Sequence, residues 1–168
     1  MRPRKVLTLV FLVSVLGVGY LSMHSAPVQS DASRSYHGDT AWHTNVTAAQ
    51  QLSERRGDPL LVYFWTTWCS YCEDYDEKVY SDPAVREALD GFVLLAVNLD
   101  ADGPAIDRLK GRYEATYPPQ HVAVSPSGER LLTLRGYADR EAFLSALREA
   151  QRNADGTAAR GRAGAAGR

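Results

Sequence analysis

The sequence predicts an α/β domain, a mixed central β-sheet flanked by α-helices, preceded by one N-terminal membrane anchor or signal segment. Three observations lead there. Apolar runs at residues 60–65 and 92–99, the second broken only by Asn98, suit strands covered on both faces. Segments with apolar residues three and four apart alternate with them, giving the order helix, strand, helix, helix, strand, helix, strand, strand, helix. The last two strands, 122–125 and 130–135, flank Pro126-Ser127-Gly128-Glu129, a turn by composition, and so should pair antiparallel.

Arg2, Arg4 and Lys5 precede an uncharged, mostly apolar run from Val6 to Met23, which as a helix would span about 27 Å. The run is longer than a usual signal core. His24 spoils a small-x-small site ending at Ala26, and sites ending at Ser30 or Ala32 lie far from the run. Residues 1–23 therefore read as a signal-anchor, with a cleaved signal peptide as the alternative. In either case the basic flank stays inside and the rest is exported.

Residues 24–40 are polar, with no apolar period, and read as a flexible tether to a domain at 41–152. Val46, Ala49 and Leu52 make an amphipathic helix to Arg56, capped by Thr44 or Asn45 and ended by Gly57. Asn45-Val46-Thr47 also matches a glycosylation acceptor, but a helix cap is the reading adopted. Asp58-Pro59 turns into the first strand. A helix from Cys69 to about Tyr80 points Tyr75 and Val79 inward, and Asp82 caps another that starts at Pro83 and buries Val85, Ala88 and Leu89. Asp100-Ala101-Asp102-Gly103 lacks the length and glutamate of a calcium loop and reads as a plain one. Ile106, Leu109 and Tyr113 mark the helix 104–114. Asp139 caps the last helix, which buries Phe143, Leu144 and Leu147, and His121 is expected at the surface. Residues 153–168 have no large apolar side chain and are expected to be disordered.

Both cysteines of the chain, Cys69 and Cys72, lie where the first strand becomes a helix. The free N–H groups and dipole of a helix start favour a thiolate, which makes Cys69 the nucleophile. Cys72, one turn on, can attack a mixed disulfide on Cys69 and act as the resolving thiol. Other uses of the pair fit less well. Zinc wants four ligands, and none of the four histidines has a second ligand at finger-like spacing. Haem attachment needs His at position 73, which is Glu. A purely structural disulfide over so short a loop would remove little entropy from the unfolded chain.

Phe64, Trp65, Trp68, Cys69 and Cys72 resemble the strand-to-helix signature of the thioredoxin superfamily. The continuation from Tyr75 to Leu89, with Ser81-Asp82-Pro83 followed by Val85, is similar to the C-terminal thioredoxin-like domain of the DsbD thiol:disulfide interchange proteins. The likeness runs from about Val46 to Gln151. It implies a thioredoxin fold, a redox-active Cys69–Cys72 disulfide, and a cis Pro119 facing it, with Pro118 and Trp68 supplying substrate surface. Many relatives carry a buried aspartate six residues before the first cysteine, where this chain has Tyr63. Asp76, which matches an acidic position in the DsbD-like domain, is the substitute proton carrier under this reading; the alternative is a plain solvated acid.

The formal net charge of −1 and pI near 6.4 argue against a nucleic-acid surface. The expectation is an extracytoplasmic, periplasmic thiol:disulfide oxidoreductase anchored in the inner membrane by residues 6–23. It would act as a monomer, need no cofactor or metal, and exchange with protein thiols and disulfides and with a membrane electron donor. Glu73, Asp74, Asp76 and Glu77 after the pair favour a reductase over a strong oxidant. The rivals are a non-catalytic client-binding module of the same fold and a copper- or haem-assembly thiol factor.

Overall fold

The computed structural model describes residues 34–166. Six strands form one mixed sheet: β1 (Arg34–His37), β2 (Thr40–His43), β3 (Leu60–Trp65), β4 (Val93–Asn98), β5 (Gln120–Val124) and β6 (Arg130–Arg135), in the order β1-β2-β4-β3-β5-β6. The central pair, β3 with β4, is parallel from Leu60↔Val93 to Trp65↔Asn98. Strand β5 runs antiparallel to β3, and β6 to β5. The helices are α1 (Val46–Arg56), α2 (Ser70–Asp74), α3 (Pro83–Leu89), α4 (Pro104–Tyr113) and α5 (Arg140–Ala166).

Alternation along the strands sorts the side chains into two cores. Leu60, Val62 and Phe64 join Val93, Leu95 and Val97 under α1 and α4. Leu61 and Tyr63 face the other way, with Ala96 and Ala123, and pack beneath α2, α3 and α5 through Tyr75, Val79, Val85, Leu89, Phe143 and Leu147. Asn45 accepts from the Ala48 N–H and Asp82 from the Ala84 and Val85 N–H groups, so both caps form. Asp139 likewise accepts from Ala142 N–H at the start of α5.

Four expectations are corrected. Residues 34–40, expected to end a tether, form a β-hairpin with residues 41–43: β1 pairs antiparallel with β2, which joins the sheet beside β4 at His43↔Leu95. The fully buried Trp42 anchors it, and Gly38, at φ +55°, makes the turn. The helix after the cysteines contains a π-helical turn, Tyr75–Val79, where the Tyr80 N–H reaches back to the Tyr75 carbonyl. His121 is buried within the second core, not exposed. Finally, the C-terminal tail is helical: α5 runs through to Ala166. Its alanines and arginines are strong helix formers that outweigh Gly156 and Gly161, and Asn153 donates to the Leu131 carbonyl at 3.0 Å. The apolar run Val6–Met23 lies outside the described residues, as does most of the expected tether.

Candidate active site

The backbone leaves β3 at Trp65, whose carbonyl accepts from the Leu99 N–H at 2.8 Å, and loops through Thr66-Thr67-Trp68 to the cysteines. Cys69 is the N-cap of α2, in extended conformation, and its Sγ accepts from the Cys72 N–H at 3.1 Å. Its carbonyl also takes the Cys72 and Glu73 N–H groups. The sulfur expected to attack therefore sits among the free donors of a helix start. Cys69 and Cys72 are joined as a disulfide and both are buried.

Strand register brings three other loops to the same end of the sheet. Phe64 pairs with Gln120, and Gln120 with Arg135, so Pro119 and Gly136 lie beside the exit of β3. The Pro118–Pro119 bond is cis, and the Pro119 carbonyl accepts from Gly136 N–H at 2.9 Å. Pro119 is buried and Pro118 half-buried. The large exposed apolar side chains among the described residues, Trp68, Tyr71, Tyr117 and Tyr137, all belong to these loops and to the start of α2. Tyr71 and Tyr137 stack, with ring centroids 5.8 Å apart. The Trp68 indole N–H donates to Asp100 Oδ2 at 3.0 Å, a role for Asp100 that the sequence did not suggest.

Below the cysteines lies a cluster of aromatic rings. Tyr63, fully buried, stacks on His121 at 4.7 Å with an interplanar angle of 9°. Burial, and then the Asp76 charge, push its phenol well above the ordinary tyrosine range, so it stays protonated. Tyr80 Oη and His121 Nε2 are 2.5 Å apart. Burial and then the nearby His37 push His121 down to about 3, which leaves it neutral at physiological pH, and burial raises the Tyr80 phenol. Tyr75 Oη accepts from Ala138 N–H at 3.0 Å, tying the π-helical turn to the loop before α5.

Asp76 is half-buried on that turn. Its Oδ1 lies 3.3 Å from Nδ1 of His37, an ion-pair distance without the alignment of a good hydrogen bond. Nε2 of His37 is 3.1 Å from Ser35 Oγ. His37 was invisible from the sequence because it sits in a polar stretch without period. The one available signal was the tryptophan at 42, just inside the expected start of the domain, whose burial requires neighbouring chain to pack with it.

A Cys-x-x-Cys disulfide at a strand-to-helix turn, in a mixed sheet with helices on both faces, defines the thioredoxin fold. The chain belongs to the Thioredoxin-like domain family, whose match covers residues 46–151. It is similar to the thiol:disulfide interchange protein DsbD of Ralstonia nicotianae, 28% identical over 127 residues, which cover 75% of this chain and 21% of that protein. DsbD 2 of Pseudomonas aeruginosa is 32% identical over 95 residues, 55% of this chain and 16% of the relative. The chain thus spans about a fifth of the length of the curated relatives it matches. The reduced C-terminal domain of Neisseria meningitidis DsbD has the same fold, with a TM-score of 0.55 at 22% identity over 61% of this chain and 90% of that one. A thioredoxin from Thermus thermophilus gives 0.56 at 31% identity, over 64% and 84%. The β1–β2 hairpin, with His37, precedes the family match.

Proposed function

We propose that this chain is an extracytoplasmic thiol:disulfide reductase, held to the inner membrane by residues 6–23. The carrying observation is the Cys69 sulfur at the start of α2, bonded to Cys72, with the exposed Trp68 and Tyr71 flanking it in the chain and Tyr137 stacked on Tyr71. In the dithiol form, the Cys69 thiolate attacks one sulfur of a client disulfide. A Cys69–client bond forms and the other client sulfur leaves as a thiolate that takes up a proton. Cys72 then loses its proton to Asp76 and attacks Cys69. The Cys69–Cys72 bond forms, the second client thiol is released, and the client has gained two electrons and two protons. A membrane electron donor restores the dithiol.

Trp68, Pro118 and Pro119 supply the client surface, extended by Tyr71, Tyr117 and Tyr137; aromatic rings with polar tips suit a polypeptide partner. Glu73, Asp74 and Glu77 oppose an unusually stable thiolate, and the nearby Lys78 is already paired with Asp74. The absence of an aspartate at position 63 works the other way. The acidic helix tips the balance toward a couple near that of thioredoxin, about −270 mV, and away from DsbA, about −120 mV.

Two measurements test this. Cys72→Ala should accumulate mixed disulfides on Cys69 with exported proteins, and Cys69→Ala should accumulate none. Equilibration of the chain with glutathione buffers should place the couple below about −200 mV, and a value above about −160 mV would rule out a reductase.

A further inference from the structure

We propose that His37, carried in by the β1–β2 hairpin, is a positioning residue that holds Asp76 as the proton acceptor for Cys72. This rests on the reading of Asp76 given above.

Two independent contacts join the hairpin to the π-helical turn. His37 Nδ1 lies 3.3 Å from Asp76 Oδ1. One residue on, Gly38 packs so closely that a Cβ there would meet the Asp76 carbonyl oxygen at 2.7 Å. The hairpin therefore grips this residue by side chain and backbone together. The imidazole is itself fixed: it is buried, set edge-on to Tyr63 at 5.1 Å and to Trp65 at 4.6 Å, with Trp42 at 6.1 Å.

The two neighbours of the ring favour one tautomer. With Nδ1 facing a carboxylate, the proton belongs on Nδ1, and Nε2 is then free to accept from the Ser35 hydroxyl 3.1 Å away. Asp76 thus faces a fixed imidazole N–H at ion-pair distance rather than an aligned hydrogen bond. The positive end of that dipole beside a carboxylate favours its charged, proton-accepting form. Acceptance is needed when the Cys72 thiol loses its proton to become the attacking thiolate. In many relatives that task falls to a buried aspartate at the position that is Tyr63 here, and a phenol held protonated cannot take the proton.

The titratable groups around His37 are Asp76 from the π-helical turn, Tyr63 from β3 and His121 from β5, with the Ser35 hydroxyl on its own strand. Tyr63 stays protonated and His121 neutral between pH 4 and pH 8 on the shifts described above. The assignment of any change in the profile therefore rests on the substitutions at positions 37 and 76 and not on these two neighbours.

The experiment uses the full chain in detergent, reduced and mixed rapidly with a peptide disulfide, and reads the rate of mixed-disulfide resolution from pH 4 to pH 8. Asp76→Asn should remove the acid limb of the profile. His37→Leu should move that limb to higher pH and slow resolution on its acid side. His37→Asn, whose amide N–H can occupy the Nδ1 position, should keep the wild-type limb, whereas His37→Gln, whose amide reaches the Nε2 position, should behave like His37→Leu. Adding His37→Leu to Asp76→Asn should have no further effect on the rate. If Asp76→Asn leaves rate and profile unchanged, the acceptor reading falls and this inference with it. If Asp76→Asn removes the limb but the Asn and Gln variants at position 37 share one profile, or the two sites prove additive, the role of His37 is refuted while Asp76 stands. The Asn and Gln contrast decides the matter even if the leucine variant fails to fold.

Discussion

His121 should make the domain acid-sensitive, and replacing it with Gln should remove that sensitivity. The ring is buried, with Tyr80 Oη on Nε2, Tyr63 stacked on one face and Phe143 4.9 Å away. Burial and the nearby His37 push it from 6.5 down to about 3. The unfolded chain therefore binds a proton at this site below about pH 6.5 that the folded chain refuses until about pH 3. A histidine whose folded value is depressed contributes stability that is present above 6.5 and is lost as the pH falls through the window between the two values. The slope approaches about 1.4 kcal/mol per pH unit, so going from pH 7.5 to pH 4.5 should cost about 2.5 kcal/mol from this residue alone, a large part of a stability of about 5–15 kcal/mol. Gln has an amide oxygen that can take the Tyr80 hydroxyl and does not titrate. Urea unfolding of residues 33–168, for both proteins at half-unit steps from pH 4.5 to pH 7.5, measures the difference directly. Carboxylates and the other histidines contribute to both and cancel. The wild-type curve should fall more steeply by about 1 kcal/mol per unit or more below pH 6. Parallel curves would refute a buried neutral His121.

Trp42→Ala should cost about 3–5 kcal/mol in the same urea assay, because the side chain is fully buried where the hairpin meets the sheet; a change under about 1 kcal/mol would mean that the hairpin is not docked. A fragment starting at residue 40 should unfold at lower urea than one starting at residue 33, since it lacks β1, His37 and the Gly38 turn against Asp76. Asp100→Ala, which frees the Trp68 indole, should raise KM for a peptide disulfide about two- to five-fold with little change in kcat; an unchanged KM would remove Trp68 orientation from client binding. Full-length protein should stay with membranes through a carbonate wash, and release of a soluble chain beginning near Asp31 or Ser33 would mean a cleaved signal.

The parts of this domain legible in the sequence are those written in local pattern. Helix α1 follows from an Asn cap, apolar residues at three and three, and a closing glycine; the start of α3 follows from Asp82-Pro83. The cysteine pair and the strand before it announce themselves by composition. What escaped depends on distant contacts. His37 and Trp42 are single residues in a polar stretch, and their burial is decided by β4, β3 and the π-helical turn. His121 looked like a polar residue beside a strand, yet its partners, Tyr80 and Tyr63, stand 41 and 58 positions earlier in the chain. The tail lacked large apolar residues, but a helix already nucleated by Phe143 and Leu147 against the core extends through alanine and arginine at little cost.

Tyr63 ties these surprises together. An aspartate at that position would be a small buried acid close to the Asp76 charge, and like charges in a dry site oppose each other's ionisation. A tyrosine removes that conflict but fills far more space, and its ring needs flat neighbours. His121 supplies one by stacking, and His37, Trp42, Tyr75 and Tyr80 close around it at 5.1 to 6.2 Å. His37 and Trp42 come from the hairpin, so the same ten residues that wall in the tyrosine also deliver an imidazole to Asp76. On the proposed reading of Asp76, proton handling moves from the strand under the cysteines to the helix beside them. Restoring the aspartate alone, as Tyr63→Asp, would leave a cavity among those rings and set a second carboxylate beside Asp76. The hairpin and Tyr63 are therefore packed as one arrangement, and a change at position 63 is felt by His37 and Trp42.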